Sequence, residues 1–178
     1  MPYAAEVYFD DASSRSVTRI WERLAEAGVS RSMLKEGYRP HWSFAVSDEL
    51  DVEALAVDLA AFMRGWRPLT TTLSSIGAFP TSEGAVFYGV TVTDALLDLH
   101  REFFRIFEPR AGGAWSYYRP GIWVPHCTLG YGLDPDQVGA AFRIAMEAKL
   151  PLDCRTVEVA LVDVTAAACQ PLRSWRVG

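Results

Sequence analysis

Arg39-Pro40-His41-Trp42-Ser43-Phe44 and Val124-Pro125-His126-Cys127-Thr128-Leu129 share one frame: a proline, a histidine, any residue, a hydroxyl residue and an apolar residue. In a β-strand successive side chains point to opposite faces, so residues two positions apart share a face about 6.5 Å from each other. His41 and Ser43 therefore project together, as do His126 and Thr128, while Trp42, Phe44, Cys127 and Leu129 turn the other way, into a core. A single His-x-Ser/Thr is a weak signal. Two of them, each following proline and drawn from only three histidines, are expected by chance at roughly 1 in 10,000. If the two strands face each other, two imidazoles and two hydroxyls surround one small anion, an arrangement suited to phosphodiester chemistry without a metal. The third histidine, His100, lies in the helical pattern Leu96-Leu97-Asp98-Leu99-His100-Arg101-Glu102-Phe103-Phe104 and reads as a packing residue.

The chain around the first frame reads as strand Tyr3 to Phe9, then a helix capped within Asp10-Asp11-Ala12-Ser13-Ser14. That helix repeats Val17, Ile20, Trp21, Leu24 and Ala27 at helical spacing until Gly28. The histidine strand spans 39–46, and Ser47-Asp48-Glu49 leads into a helix bearing Val52, Leu55, Leu59, Phe62 and Met63, followed by strand Leu69 to Ile76. Around the second frame the order recurs. Strand Ala85 to Val92 precedes a helix capped by Thr93 that runs to Phe107, and a loop from Arg110 to Gly121 leads to the second histidine strand, Trp123 to Tyr131. Asp134-Pro135-Asp136-Gln137 has the form of a capping box, opening a helix that presents Val138, Phe142, Ala145 and Met146 before strand Val157 to Val164. The tail, Leu172 to Val177, alternates like an edge strand.

The repeated order predicts an α+β fold of two pseudo-symmetric antiparallel sheets, with helices outside and a central cleft lined by the histidine strands. The 178 residues then form a single bilobal unit, with lobes from about 1–80 and 81–178 and room for strands to exchange between them.

Composition is that of an ordinary globular chain, with 50% apolar, 22% charged and 12% aromatic residues. The net charge of −5 argues against an extended nucleic-acid surface, because phosphate binding draws on many Lys and Arg contacts, but it leaves room for a small or terminal phosphate. Cys127, Cys154 and Cys169 are odd in number and lack metal-ligand spacing, so neither a disulfide framework nor structural zinc is expected and a reducing cytoplasm fits. No stretch approaches the ~18 apolar residues of a membrane span, and the N-terminus lacks a leader pattern. A soluble, cytoplasmic, monomeric chain with no cofactor and no bound metal is the expectation.

The paired motifs resemble the 2H phosphoesterase superfamily, in its bacterial 2′-5′ RNA ligase and cyclic phosphodiesterase branch. The likeness rests on the tetrads His41-Trp42-Ser43-Phe44 and His126-Cys127-Thr128-Leu129, and extends to Ile76-Gly77-Ala78-Phe79-Pro80 before a strand and Leu97-Asp98-Leu99-His100 in a helix. It covers about Tyr3 to Val164. It implies a bilobal fold, catalysis by His41, His126, Ser43 and Thr128, and a nucleotide or RNA-end phosphate as ligand. Some RNA-processing members carry a basic residue after the second tetrad, where this chain has Gly130-Tyr131. The neighbouring candidates for substrate contact are Arg39, Tyr118, Arg119 and Tyr131.

Histidine titrates near 6.5, so a pair can hold one neutral and one protonated ring near neutral pH. The neutral ring serves as general base and the charged one as general acid, each worth ~100- to 10,000-fold, with the hydroxyls donating to the phosphate oxygens. Hydrolysis of a 2′,3′-cyclic phosphate is the leading expectation. The alternatives are 2′-5′ RNA ligation, which is the reverse reaction with a 5′-hydroxyl end, and a module that binds a nucleotide or RNA end without turnover. A metal-dependent hydrolase fits poorly, because neither frame is flanked by clustered Asp, Glu or further His.

Overall fold

The first strand, β1 (Tyr3–Phe9), ends at Asp10, whose carboxylate accepts the backbone N–H groups of Ala12 and Ser13 and so starts helix α1 (Asp11–Glu26). Val17, Ile20, Trp21 and Leu24 form its buried stripe, and Gly28, at φ +69°, turns the chain out of it. The structure, a computed structural model, describes residues 2–80, 84–164, 169 and 171–177. A one-turn helix α2 (Ser32–Lys35) precedes β2 (His41–Leu50), and Asp51 then caps α3 (Val52–Gly65). Next come β3 (Thr70–Phe79), β4 (Ala85–Val90) and α4 (Asp94–Phe107), the last capped by Thr93. β5 (Ala111–Ala114), β6 (His126–Gly130) and α5 (Pro135–Ala145) follow, with the Asp134–Gln137 capping box formed as expected. The chain closes with β7 (Leu152–Asp163) and β8 (Pro171–Arg176).

Every strand pairing among the described residues is antiparallel, and the order is β5-β2-β1-β7-β3-β4-β6 with β8 also on β7. This is the α+β architecture expected from the sequence, with the two expected sheets sharing one long strand. Leu152 to Arg155 of β7 pair with β3, and Thr156 to Asp163 pair with β1. Helices α1 and α5 pack together, as do α3 and α4, and they cover a core built on Val7, Phe9, Trp42, Phe44, Phe103 and Cys127. Among the described residues no helix is long and apolar enough to cross a membrane.

Four expectations need correction. β2 does not stop at Val46 but continues through Ser47-Asp48-Glu49 to Leu50, because β5 lies beside it and pairs Ala114 with Ser47 and Gly112 with Glu49. β5 itself falls where a loop was expected. Its Ala-Gly-Gly-Ala sequence has no strand propensity of its own, and a Cβ on Gly112 would lie 3.1 Å from Glu49 Cβ, so glycine eases the close pairing with β2. β7 begins at Leu152 instead of Val157; its first residues alternate, with Asp153 and Arg155 exposed and Cys154 buried, because only one side of that end is covered. Met146 lies beyond α5 and is exposed, whereas Ala141 and Ala145 supply the buried face.

Asp10 joins two elements, because its carboxylate also accepts the Ser13 hydroxyl at 2.7 Å and the Arg155 backbone N–H at 3.0 Å, tying the start of α1 to β7. Burial pushes its carboxyl up, but the Ser13 hydroxyl and the N–H groups of Ser13, Arg155 and Ala12 outweigh this and hold it below its ordinary value. A depressed carboxylate contributes stability above its unfolded pKa, and that contribution is lost as pH falls through the folded value. Asp10→Ala should therefore cost about 1–2 kcal/mol at pH 7 in urea denaturation. The gap to the parent should narrow below pH 3.8.

Candidate active site

Each histidine frame carries a β-bulge at the same place. On β2 the register passes from Glu6↔Ser43 to Ala5↔Ala45, leaving Phe44 as the extra residue; on β6 it passes from Phe87↔Thr128 to Val86↔Gly130, leaving Leu129 extra. A bulge breaks the ladder and re-aims neighbouring side chains. Here it lets Phe44 and Ala45 both sit in the main core, while Val46 rejoins the cleft side with Ala4 and Tyr8.

The carbonyls around the bulges find side-chain donors. The indole N–H of Trp123 donates to Ser43 O at 3.0 Å, and that of Trp21 donates to Thr128 O at 3.1 Å. His100, expected to be a packing residue, lies 3.1 Å from Phe44 O through Nε2 and stacks on Trp123 with ring centroids 3.9 Å apart. Burial lowers its pKa to about 4, so it stays neutral at pH 7. Both catalytic candidates are oriented alike: Nδ1 of His41 is 2.7 Å from Arg39 O, and Nδ1 of His126 is 2.7 Å from Val124 O. In both cases the acceptor is the carbonyl before the proline, so each ring donates Nδ1–H and keeps Nε2 for the cleft.

The sheet brings β2 and β6 against each other, and His41, Ser43, His126 and Thr128 line one cleft of about 450 Å³. The surroundings of the two rings differ. Nε2 of His41 faces Glu6 Oε1 at 3.4 Å, and Glu6, only 2% exposed, is fixed by the Tyr8 hydroxyl donating to Oε2 at 2.7 Å. His126 instead packs on Phe79 and Phe87, with centroids 4.9 and 5.0 Å away. In the register, Phe87 holds opposite Thr128 the position that Glu6 holds opposite Ser43. Burial, and then the charge of His41, pushes His126 below its ordinary pKa.

Of the expected substrate contacts, Tyr118 and Tyr131 line the cleft, beside Tyr38 and Trp115. The two arginines do not. Arg39 pairs with Glu158 at 3.1 Å and lies 3.8 Å over the Tyr8 ring, and Arg119 pairs with Glu108 at 2.9 Å. Cys127 is buried on the core side and burial pushes its thiol up, so it offers no nucleophile. Among the described residues no cluster of three metal-ligating side chains occurs. Glu6 was missed at the sequence level. Its signal was a lone carboxylate inside the apolar strand Ala4-Ala5-Glu6-Val7-Tyr8, in phase with Tyr8.

A family model for the 2′-5′ RNA ligase superfamily matches residues 44–167. No curated protein matches the chain by sequence. Among solved structures, Escherichia coli LigT complexed with 3′-AMP superposes with a TM-score of 0.57 at 17% identity, covering 99% of each chain. A structure described as a phosphoesterase gives 0.55 at 15%, covering 98% of this chain and 97% of that one. Kluyveromyces marxianus Usb1 gives 0.53 at 9%, covering 99% and 97%. At these identities the likeness is one of fold.

Trp21→Phe and Trp123→Phe keep the aromatic packing but leave a bulge carbonyl without its donor. Each should lower stability by about 1–3 kcal/mol, read as a lower urea midpoint.

Proposed function

The chain belongs to the 2′-5′ RNA ligase superfamily, and from that premise we propose that it is a metal-independent phosphodiesterase that opens a nucleoside 2′,3′-cyclic phosphate or the 2′,3′-cyclic end of an RNA. The observation that carries the reading is the unlike hydrogen-bond setting of two imidazoles in one cleft. Both nitrogens of His41 face acceptors, Arg39 O and Glu6 Oε1, which suits a doubly protonated ring. His126 has one carbonyl and two phenyl rings around it, which suits a neutral ring.

His126 then acts as general base and His41 as general acid. Nε2 of His126 takes a proton from water, the hydroxide forms the new bond to phosphorus, and the P–O bond to one ribose oxygen breaks. Nε2–H of His41 delivers its proton to that leaving oxygen. Ser43 and Thr128 donate to the non-bridging oxygens, where charge accumulates. With a 5′-hydroxyl in place of water the protons move the same way: His126 takes the proton of the 5′-hydroxyl, its oxygen bonds to phosphorus, the P–O bond to the 3′-oxygen breaks and His41 protonates that oxygen, leaving a 2′-5′ linkage, so ligation uses the same residues. Structures of similar fold hold nucleotides, which supports a nucleotide as ligand: the LigT structures hold 3′-AMP, a monoester of the class that ring opening releases, or NADP+, and one Usb1 structure holds uridine monophosphate. Tyr118, Tyr131 and Trp115 supply aromatic faces on which a base could stack.

Incubation with 2′,3′-cyclic mononucleotides and cyclic-ended oligoribonucleotides, followed by phosphorus NMR, should show conversion to one monoester isomer, unaffected by EDTA. His41→Ala and His126→Ala should each reduce the rate by at least about 100-fold. The rate should be bell-shaped in pH. Because the base must be neutral and its pKa is lowered, the acidic limb should fall below pH 6.5. Unchanged turnover in both alanine variants would refute the assignment.

A further inference from the structure

The cleft has an unusual charge for a phosphate site. Among the described lining residues Glu6 is the only Asp, Glu, Lys or Arg, and the remaining wall is aromatic, aliphatic or hydroxylic. Arg39 and Arg119, the nearest expected cations, are spent on Glu158 and Glu108 outside that lining. Glu6 cannot easily turn away, because the carboxylate is buried and takes the Tyr8 hydroxyl, a phenol kept protonated by burial and by Glu6 itself. A buried carboxylate is costly to keep beside an anion site unless its charge is matched. His41, in its doubly protonated form, matches it once. The pair is then neutral, and among the described lining residues only His126, the ring read above as neutral before turnover, could carry a further positive charge.

We propose that Glu6 is a specificity-determining residue that selects singly charged phosphodiesters over doubly charged phosphomonoesters. The inference rests on the cleft assigned above as the phosphate site and says which phosphate class it admits. A diester carries one negative charge, which the protonated His41 and the two hydroxyls accommodate. A monoester at neutral pH carries nearly two, and the second meets the Glu6 carboxylate without a counter-charge. Hydrolysis converts the first class into the second, so the same carboxylate that holds His41 also favours departure of the product.

The test uses two ligands that differ by one charge and lack the 2′-hydroxyl needed for ring chemistry: 2′-deoxyadenosine 3′-monophosphate and its methyl ester. Calorimetric titration of the full chain at pH 7.5 should show the methyl ester binding at least tenfold tighter than the monophosphate. Glu6→Gln removes the charge while keeping the shape, its one amide oxygen accepting from Tyr8 or from His41 but not from both, and should narrow the ester-over-monophosphate ratio to within threefold. Glu6→Asp, which keeps the charge, should retain the preference. A ratio within twofold in all three proteins, an equal weakening of both ligands in Glu6→Gln as a purely structural role would give, or no binding of either ligand to any of them overturns the proposal. Because binding is read without turnover, loss of the catalytic reading would appear separately, as absence of cyclic phosphate hydrolysis by a chain that still discriminates the two ligands.

Discussion

Two backbone oxygens, those of Ser43 and Thr128, fix the geometry on which the cleft depends. Each lies at a bulge where the strand ladder cannot supply a donor, and each receives an indole N–H from a tryptophan distant in sequence. Without those donors a bulge in a buried strand would leave polar groups stranded, and the regular register would be preferred. With them, the histidine and hydroxyl of each motif point into the cleft while the following residue stays in the core. His100 strengthens the first arrangement by bonding the next carbonyl and stacking on the tryptophan that holds the previous one. A residue of a helix thereby helps hold a strand in its irregular form.

The two motifs are alike in backbone and unlike in electrostatics. Register, bulge, the carbonyl before the proline and the indole donor recur, but the residue opposite the hydroxyl is a carboxylate in one case and a phenyl ring in the other. A symmetric scaffold sets the positions of two equivalent bases, and one substitution on each central strand makes them inequivalent. Acid and base roles need such inequivalence, since two identical rings at one phosphate would compete for the same protonation state.

Much of this was legible in the chain. The proline before each histidine, the hydroxyl two places on and the apolar residues between them located both strands and their cleft face, because alternation is a local property of the backbone. Asp10, Thr93 and Asp134 announced their helices by local capping chemistry. What escaped depended on partners far away. The bulges cannot be seen without the opposing strand, β5 is a strand only because Glu49 and Ser47 pair with it, and the ends of β7 depend on two different neighbours. Arg39 and Arg119 were reasonable phosphate contacts by proximity in sequence, yet long side chains go where an opposite charge lies, and here Glu158 and Glu108 claim them. Glu6 was overlooked because a single carboxylate in an apolar strand has no periodic signature.

The strand β7 acts as a common ruler for the whole sheet. One end of it sets the position of β3, and through β4 that of β6; the other end sets β1, and through it β2. Side chains alternate along it, so gaining or losing a residue near Arg155 would slide one histidine strand relative to the other and reverse which faces look inward. The strand already absorbs one such residue, since its pairing with β1 passes from Phe9↔Thr156 to Tyr8↔Glu158 and leaves Val157 extra, so the count along its twelve residues includes a bulge that keeps both histidine strands in phase.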